Sequence, residues 1–229
     1  MSDSSNHLRD TSFSGQDINN SIVNTGDYNS LILGNYESLD DALVEPGAVF
    51  DRVNLDHFSG RKWLLAQIDS FLQKNDRGYL IIEANAGLGK TSFLAWLVRE
   101  RKYFHNFCEL TPGPDGVKRG LRNLAAQLIL AHKLSSDKIT SAASRPDYFY
   151  RLLRRVSADR KSGEKIVFVI DALDEVCALD GDNVMGLPRM LPEGIYFIVS
   201  QRPIPVKLQV EPLEHHAHTY RLRLKGRII

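Results

Sequence analysis

Three runs of consecutive apolar residues dominate the chain: Tyr79-Leu80-Ile81-Ile82, then Ile166 to Ile170 behind Lys165, then Ile195 to Val199. Continuous β-branched and aromatic runs of this length predict strands buried on both faces, as in the middle of a parallel sheet. Between them the apolar positions recur at helical spacing. Trp63, Leu64, Ile68, Phe71 and Leu72 mark one helix, and Phe93, Leu94, Leu97 and Val98 a second. Pro112, Gly113 and Pro114 break the chain before Val117, Leu121, Leu124, Leu128 and Ile129 resume the 3.6-residue period. Residues 148–161 predict one more helix, with Arg151, Arg154 and Arg155 on a basic face that reads as solvated surface. Buried strands alternating with helices predict an α/β fold: a three-layer α/β/α sandwich with a mostly parallel central sheet.

The ends of the chain lack this pattern. The first 30 residues contain 20 Ser, Asn, Asp, Thr or Gly, so residues 1–49 read as a flexible polar arm, 50–210 as the folded domain and 211–229 as a separate C-terminal segment. In that last segment Leu222, Leu224, Ile228 and Ile229 look like the start of a further element. The arm holds a degenerate tandem repeat: Asn20-Ser21-Ile22-Val23 leads to Tyr28, and Asn29-Ser30-Leu31-Ile32 leads to Tyr36. Short, weakly charged, β-prone segments of this kind favour in-register self-pairing, so self-association through the arm stands beside the plainer reading of a polar linker.

Composition narrows the class. A chain of 229 residues, 43% hydrophobic and 25% charged, can bury one sizeable core. A net charge of +1 offers no general attraction to nucleic acid or membrane. The two cysteines, Cys108 and Cys177, argue against a disulfide scaffold and for a reducing, cytoplasmic setting. There is no apolar run of membrane-spanning length and no secretory signal pattern. His215, His216 and His218 lack the partners of a zinc site and read as a polar segment.

The chemistry concentrates at the ends of the three apolar runs. Directly after the first comes Ala84-Asn85-Ala86-Gly87-Leu88-Gly89-Lys90-Thr91, opening into a helix. Strand, glycine loop and helix in that order are what a phosphate-binding loop requires. Gly87 and Gly89 let backbone N–H groups close on a polyphosphate, Lys90 would reach the outer phosphates, Thr91 would offer its hydroxyl to Mg²⁺, and Ser92 would add a phosphate contact. Ala84 stands where the motif usually has glycine. The second run ends in Asp171-Ala172-Leu173-Asp174-Glu175. In a parallel sheet the ligand lies beyond the carboxyl ends of the strands, so Asp171 is placed to hold the metal, and Asp174 or Glu175 to orient or deprotonate a water. The third run ends in Ser200-Gln201-Arg202-Pro203, and Arg202 either meets phosphate charge at the same edge or pairs with one of the three carboxylates.

Taken together these motifs resemble the NACHT group of STAND ATPases, P-loop NTPases used as signalling switches. The resemblance covers about residues 50–210. It rests on Ala172 after the metal aspartate, on Asp174 and Glu175, and on Ser200 to Pro203. It rests also on Phe58-Ser59-Gly60-Arg61, a region near the adenine in relatives. His105-Asn106-Phe107-Cys108 is similar to bacterial members. The resemblance implies ATP and ADP as ligands with Mg²⁺, slow hydrolysis favouring Asp174 as the water-facing carboxylate, Arg61 in nucleotide binding, and a role in signalling or defence against phage. ATP is preferred to GTP because no Asn-Lys-x-Asp guanine signature is present. Such proteins continue into a lid and a winged-helix domain, for which the 27 residues after Arg202 leave no room, so these parts are expected to be missing. The arm is similar to amyloid-like signalling motifs at the N-termini of some members. A nucleotide-locked interaction module that presents its arm is the alternative to a hydrolysing switch, and a work-producing ATPase or kinase is a third class.

Overall fold

The computed structural model describes residues 20–23, 32–53, 55, 61–134, 138–176, 183–210 and 219–223. In chain order the elements are β1 (Asn20–Val23), β2 (Ile32–Ser38), α1 (Leu39–Ala42), α2 (Gly47–Val53), α3 (Lys62–Lys74), β3 (Gly78–Glu83) and α4 (Lys90–Arg101). There follow β4 (Phe104–Phe107), α5 (Gly116–His132), β5 (Lys138–Thr140), α6 (Pro146–Asp159), β6 (Ile166–Asp171), β7 (Ile195–Gln201) and β8 (Thr219–Arg223). Five strands form one sheet in the order β4-β6-β7-β3-β8, every pair parallel.

The apolar runs form central strands because both faces of the sheet are covered. Along each strand successive side chains point to opposite faces. Tyr79, Ile81, Phe168, Ile170, Phe197 and Val199 face α5 and α6, whereas Leu80, Ile82, Val167, Val169, Tyr196 and Ile198 face α3 and α4. The sandwich therefore has three layers. On the first face Tyr79, Phe197, Phe168 and Phe104 lie in one register line, with ring centroids 5.2, 4.7 and 5.2 Å apart in sequence across the sheet. Helix α4 is wedged between the sheet and its neighbours, burying Phe93, Leu94, Ala95, Leu97 and Val98. Trp63, expected in the core by its spacing, is 53% exposed, and Leu64 carries that position's packing instead.

Both domain boundaries differ from those expected. The core begins inside the stretch read as an arm, since Leu39, Ala42 and Val49 are buried in the two clusters. Strands β1 and β2 pair antiparallel, Asn20 opposite Asn35 and Val23 opposite Ile32, and β2 pairs onward with β5. The tandem-repeat segments are thus partners of one another within the chain at these positions, and the repeat residues between them, 24–31, lie outside the described residues. At the other end, residues 219–223 supply the edge strand of the main sheet, and Leu222 packs on the α3/α4 side. The expected separate C-terminal segment is, in this part, domain sheet. Arg221 and Arg223 both pair with Glu83 on β3.

Candidate phosphate and metal site

β3 delivers the glycine loop to the carboxyl edge of the sheet. The ladder continues one step beyond the strand, where Ala84 N–H donates to the Gln201 carbonyl at 3.2 Å. Ala84 itself is buried beneath the loop, a position with room for a methyl group. Gly87 and Gly89 adopt φ of +75° and +72°, which L side chains rarely tolerate, and Gly89 caps α4. The backbone N–H groups of the first turn of α4 therefore open toward the cleft.

Lys90 curls back over the loop, donating to the carbonyls of Ala84 at 2.7 Å and Asn85 at 3.1 Å. Burial lowers the pKa of its ammonium, while Asp171, Asp174 and Glu175 act to raise it. Thr91 Oγ1 donates to Asp171 Oδ2 at 2.6 Å, joining residues 80 positions apart. Strand β7 runs between β3 and β6, and this sheet order brings Ser200 beside Asp171. The Ser200 hydroxyl donates to Asp171 Oδ1 and accepts from the Ala172 N–H at 3.0 Å. Asp171 is 2% exposed; burial pushes its carboxyl up, and the Ser200 and Thr91 hydroxyls pull it back down. Thr91 and Asp171 present adjacent hard oxygen donors, the set that a Mg²⁺ ion takes beside phosphate, so the residues fit that ion.

Past Asp171 the chain turns through Ala172 at φ +58° into a short 3-10 turn, Leu173–Glu175. Leu173 is buried, Asp174 turns toward β7, and Glu175 is exposed. Both oxygens of Asp174 are engaged by Arg202, one by its backbone N–H at 3.0 Å and the other by Nε. Of the two alternatives for Arg202, the structure thus contains the carboxylate pair.

These groups line a cleft of about 380 Å³ with Lys90, Thr91, Asp171, Asp174, Glu175 and Arg202 on its walls, and Ala86, Gly87, Gly89 and Ser92 along the loop. Ala84, Asn85, Leu88 and Arg61 do not line it. Arg61 lies behind the loop, in the left-handed conformation at φ +59°, donating to the Leu88 carbonyl at 3.3 Å with its guanidinium 5.5 Å from the centre of the Phe93 ring. Burial lowers its pKa to about 10. Phe58, Ser59 and Gly60 lie outside the described residues, as do Cys177 and the three C-terminal histidines.

The structure adds residues that the motifs did not single out. Arg52 and Val53 of α2 line the cleft, and Glu109, just past β4, holds Arg52. No local signal marks either charge, because the pair is 57 residues apart. Ser200 was visible as a strand-end serine, but its contact with Asp171 depends on the sheet order.

Residues 60–208, more than half of the chain, match the family described as Nephrocystin 3, N-terminal. The chain belongs to that family. The Nephrocystin 3 N-terminal match spans α3, the loop, the acidic turn and Arg202, and it stops short of β8. No curated protein matches the chain. No helix among the described residues is long and apolar enough to cross a membrane.

Proposed function

We propose that this domain binds ATP with Mg²⁺ and hydrolyses it slowly, as a switch of the NACHT-type STAND class. The observation that carries the reading is the Thr91–Asp171 contact at 2.6 Å, which joins the phosphate loop to the end of a second buried strand inside one cleft. Loop N–H groups and the start of α4 would hold the phosphates. Lys90 would exchange the carbonyls of Ala84 and Asn85 for phosphate oxygen. Thr91 and Asp171 would hold Mg²⁺, which supplies charge neutralisation at the phosphates when bound. Arg202 would leave Asp174 for phosphate charge, releasing a carboxylate to orient water. Until it does, Glu175 is the exposed carboxylate of the turn.

The engagement of both Asp174 oxygens also favours a second reading, a nucleotide-holding interaction module with little turnover. Multiple-turnover ATPase assays separate the two readings. Mass spectrometry of ligand released from denatured protein, with calorimetry against ATP, GTP and ADP in Mg²⁺, tests binding itself. Lys90→Ala is expected to abolish tight binding and leave the fold intact, because Lys90 bonds only loop carbonyls. Asp174→Asn or Glu175→Gln is expected to keep ATP bound and lower turnover. Unchanged ATP affinity in Lys90→Ala would refute the phosphate-loop assignment, and wild-type turnover in both carboxylate variants would refute their role.

A further inference from the structure

Helix α2 is fixed to the carboxyl edge of the sheet at two points. Phe50 meets the Phe107 ring edge-on, with centroids 6.4 Å apart and planes at 87°. Arg52, less than a turn further along, forms a two-pronged ion pair with Glu109: Nη1 to Oε2 and Nη2 to Oε1, each at 2.6 Å. Phe107 is the register partner of Asp171 across β4 and β6, so Glu109, two residues later, emerges at the same sheet edge as the candidate metal carboxylate. Arg52 and Val53 face the cleft that Lys90, Thr91 and Asp171 line.

An exposed ion pair is ordinarily worth little. This one differs in its surroundings. Glu109, by its hydrogen bond, and then Asp171 favour the Arg52 charge, while Glu109 adds to the forces raising the Asp171 pKa. The guanidinium is held by two of its five N–H groups, leaving three for an incoming anion. It is thus a preorganised cation on the cleft wall, 57% exposed and able to meet phosphate without unfolding anything.

We propose that Arg52 contacts the terminal phosphate of a bound nucleoside triphosphate and that Glu109 positions it, so that α2 reads triphosphate against diphosphate. The proposal rests on the reading of the cleft as a nucleotide site. The glycine loop and start of α4 serve inner and outer phosphates alike. Arg52 stands on a separate element near Asp171, where the charge of the terminal phosphate is added. Loss of that phosphate leaves Arg52 to Glu109 alone and removes one tie between α2 and the site.

The test is equilibrium binding of ATP, a non-hydrolysable triphosphate and ADP, each with Mg²⁺, to the full chain, by displacement of a fluorescent nucleotide. Arg52→Gln is expected to weaken both triphosphates by roughly tenfold, one charge-assisted hydrogen bond, and to change ADP affinity by less than about twofold. Glu109→Gln separates positioning from simple charge. Removing a negative charge would widen the preference for ATP over ADP, whereas loosening a positioned guanidinium narrows it, and narrowing is expected. Hydrogen exchange of residues 49–53 should be slower with triphosphate than with ADP in the wild type, and equal in Arg52→Gln. Equal losses for ATP and ADP in Arg52→Gln, no loss for either, or a widened preference in Glu109→Gln overturns the inference. If the wild type binds and Lys90→Ala does not, that failure belongs to Arg52 alone. If the wild type binds no nucleotide, the nucleotide reading falls and this inference with it.

Discussion

Replacing Ser200 by alanine isolates the contact that orders the candidate metal carboxylate. Ser200 is fully buried; its hydroxyl donates to Asp171 Oδ1 and accepts from the Ala172 N–H at 3.0 Å. A hydrogen bond to a charged group contributes about 1.5–3 kcal/mol, and the bond from Ala172 about 1 kcal/mol. These do not add in full. Ala172 is only partly buried, so water can replace one bond, and Asp171, whose carboxyl burial already pushes up, sheds part of the loss by taking a proton. The expected cost is about 2 kcal/mol, or a fall in Tm of about 4–8 °C for a domain of this size. A cycle with Asp171→Ala should give a coupling of about 1–2 kcal/mol, because each single variant removes the same bond. The pair also has a functional readout. Ser200 pulls the Asp171 carboxyl down, so without it the acid limb of Mg²⁺-dependent ATP binding, followed by calorimetry across pH, should move to higher pH. Mg²⁺ affinity in the ternary complex should fall by about 10- to 100-fold, as for other groups that orient a metal ligand. A Tm within about 1 °C of wild type together with an unmoved acid limb would show that the contact neither stabilises the fold nor tunes the carboxyl.

Three further outcomes are expected. Burial raises the Asp171 carboxyl, so its contribution to stability is present below the ordinary carboxylate pKa and is lost as pH rises through the raised one. Asp171→Asn should therefore raise the Tm of ligand-free protein near neutral pH but not in acid, while weakening Mg²⁺-dependent binding; calorimetric scans at both pH values check the sign. Arg221→Ala with Arg223→Ala leaves Glu83, 2% exposed, with Gln201 as its remaining side-chain partner. The cost should be about 1–3 kcal/mol with fast hydrogen exchange along β8, and Glu83→Gln on the same background should restore most of it. Phe197→Ala, at the centre of the aromatic row, should cost about 3–5 kcal/mol in urea denaturation; a loss below about 1 kcal/mol would mean that the row collapses to fill the gap.

What the sequence disclosed was local. β3, β6 and β7 were legible because strands buried on both faces must be apolar at every position; α3, α5 and α6 because each exceeds ten residues and keeps its period; and α4, which has no clear polar face, because it opens directly from the glycine loop. The loop and the Asp171 turn were legible because each directly follows such a strand. Short helices were not: α1 has four residues and α2 seven, too few for a period, and Leu39 and Ala42 of α1 flank Asp40 and Asp41. β8 was read through its apolar residues as the start of a further element; its place at the edge of this sheet rests on its pairing with β3 and on Glu83, well over 100 residues earlier. The placement of β7 between β3 and β6 is a fact of pairing, and the Ser200–Asp171 and Arg52–Glu109 contacts depend on such pairings.

The union of β8 with β3 has a mechanical side. The two strands run parallel, with Tyr79 to Glu83 opposite Thr219 to Arg223, and both leave the sheet at the edge where the glycine loop begins. A pull applied at Arg223 along the strand axis loads this pairing in shear. Such a load is shared by the five register pairs and by the two arginines on Glu83, so the edge strand slides as a unit or holds as a unit instead of peeling bond by bond. Glu83 is the residue before Ala84, and the tension would thus arrive at the root of the loop that closes on phosphate.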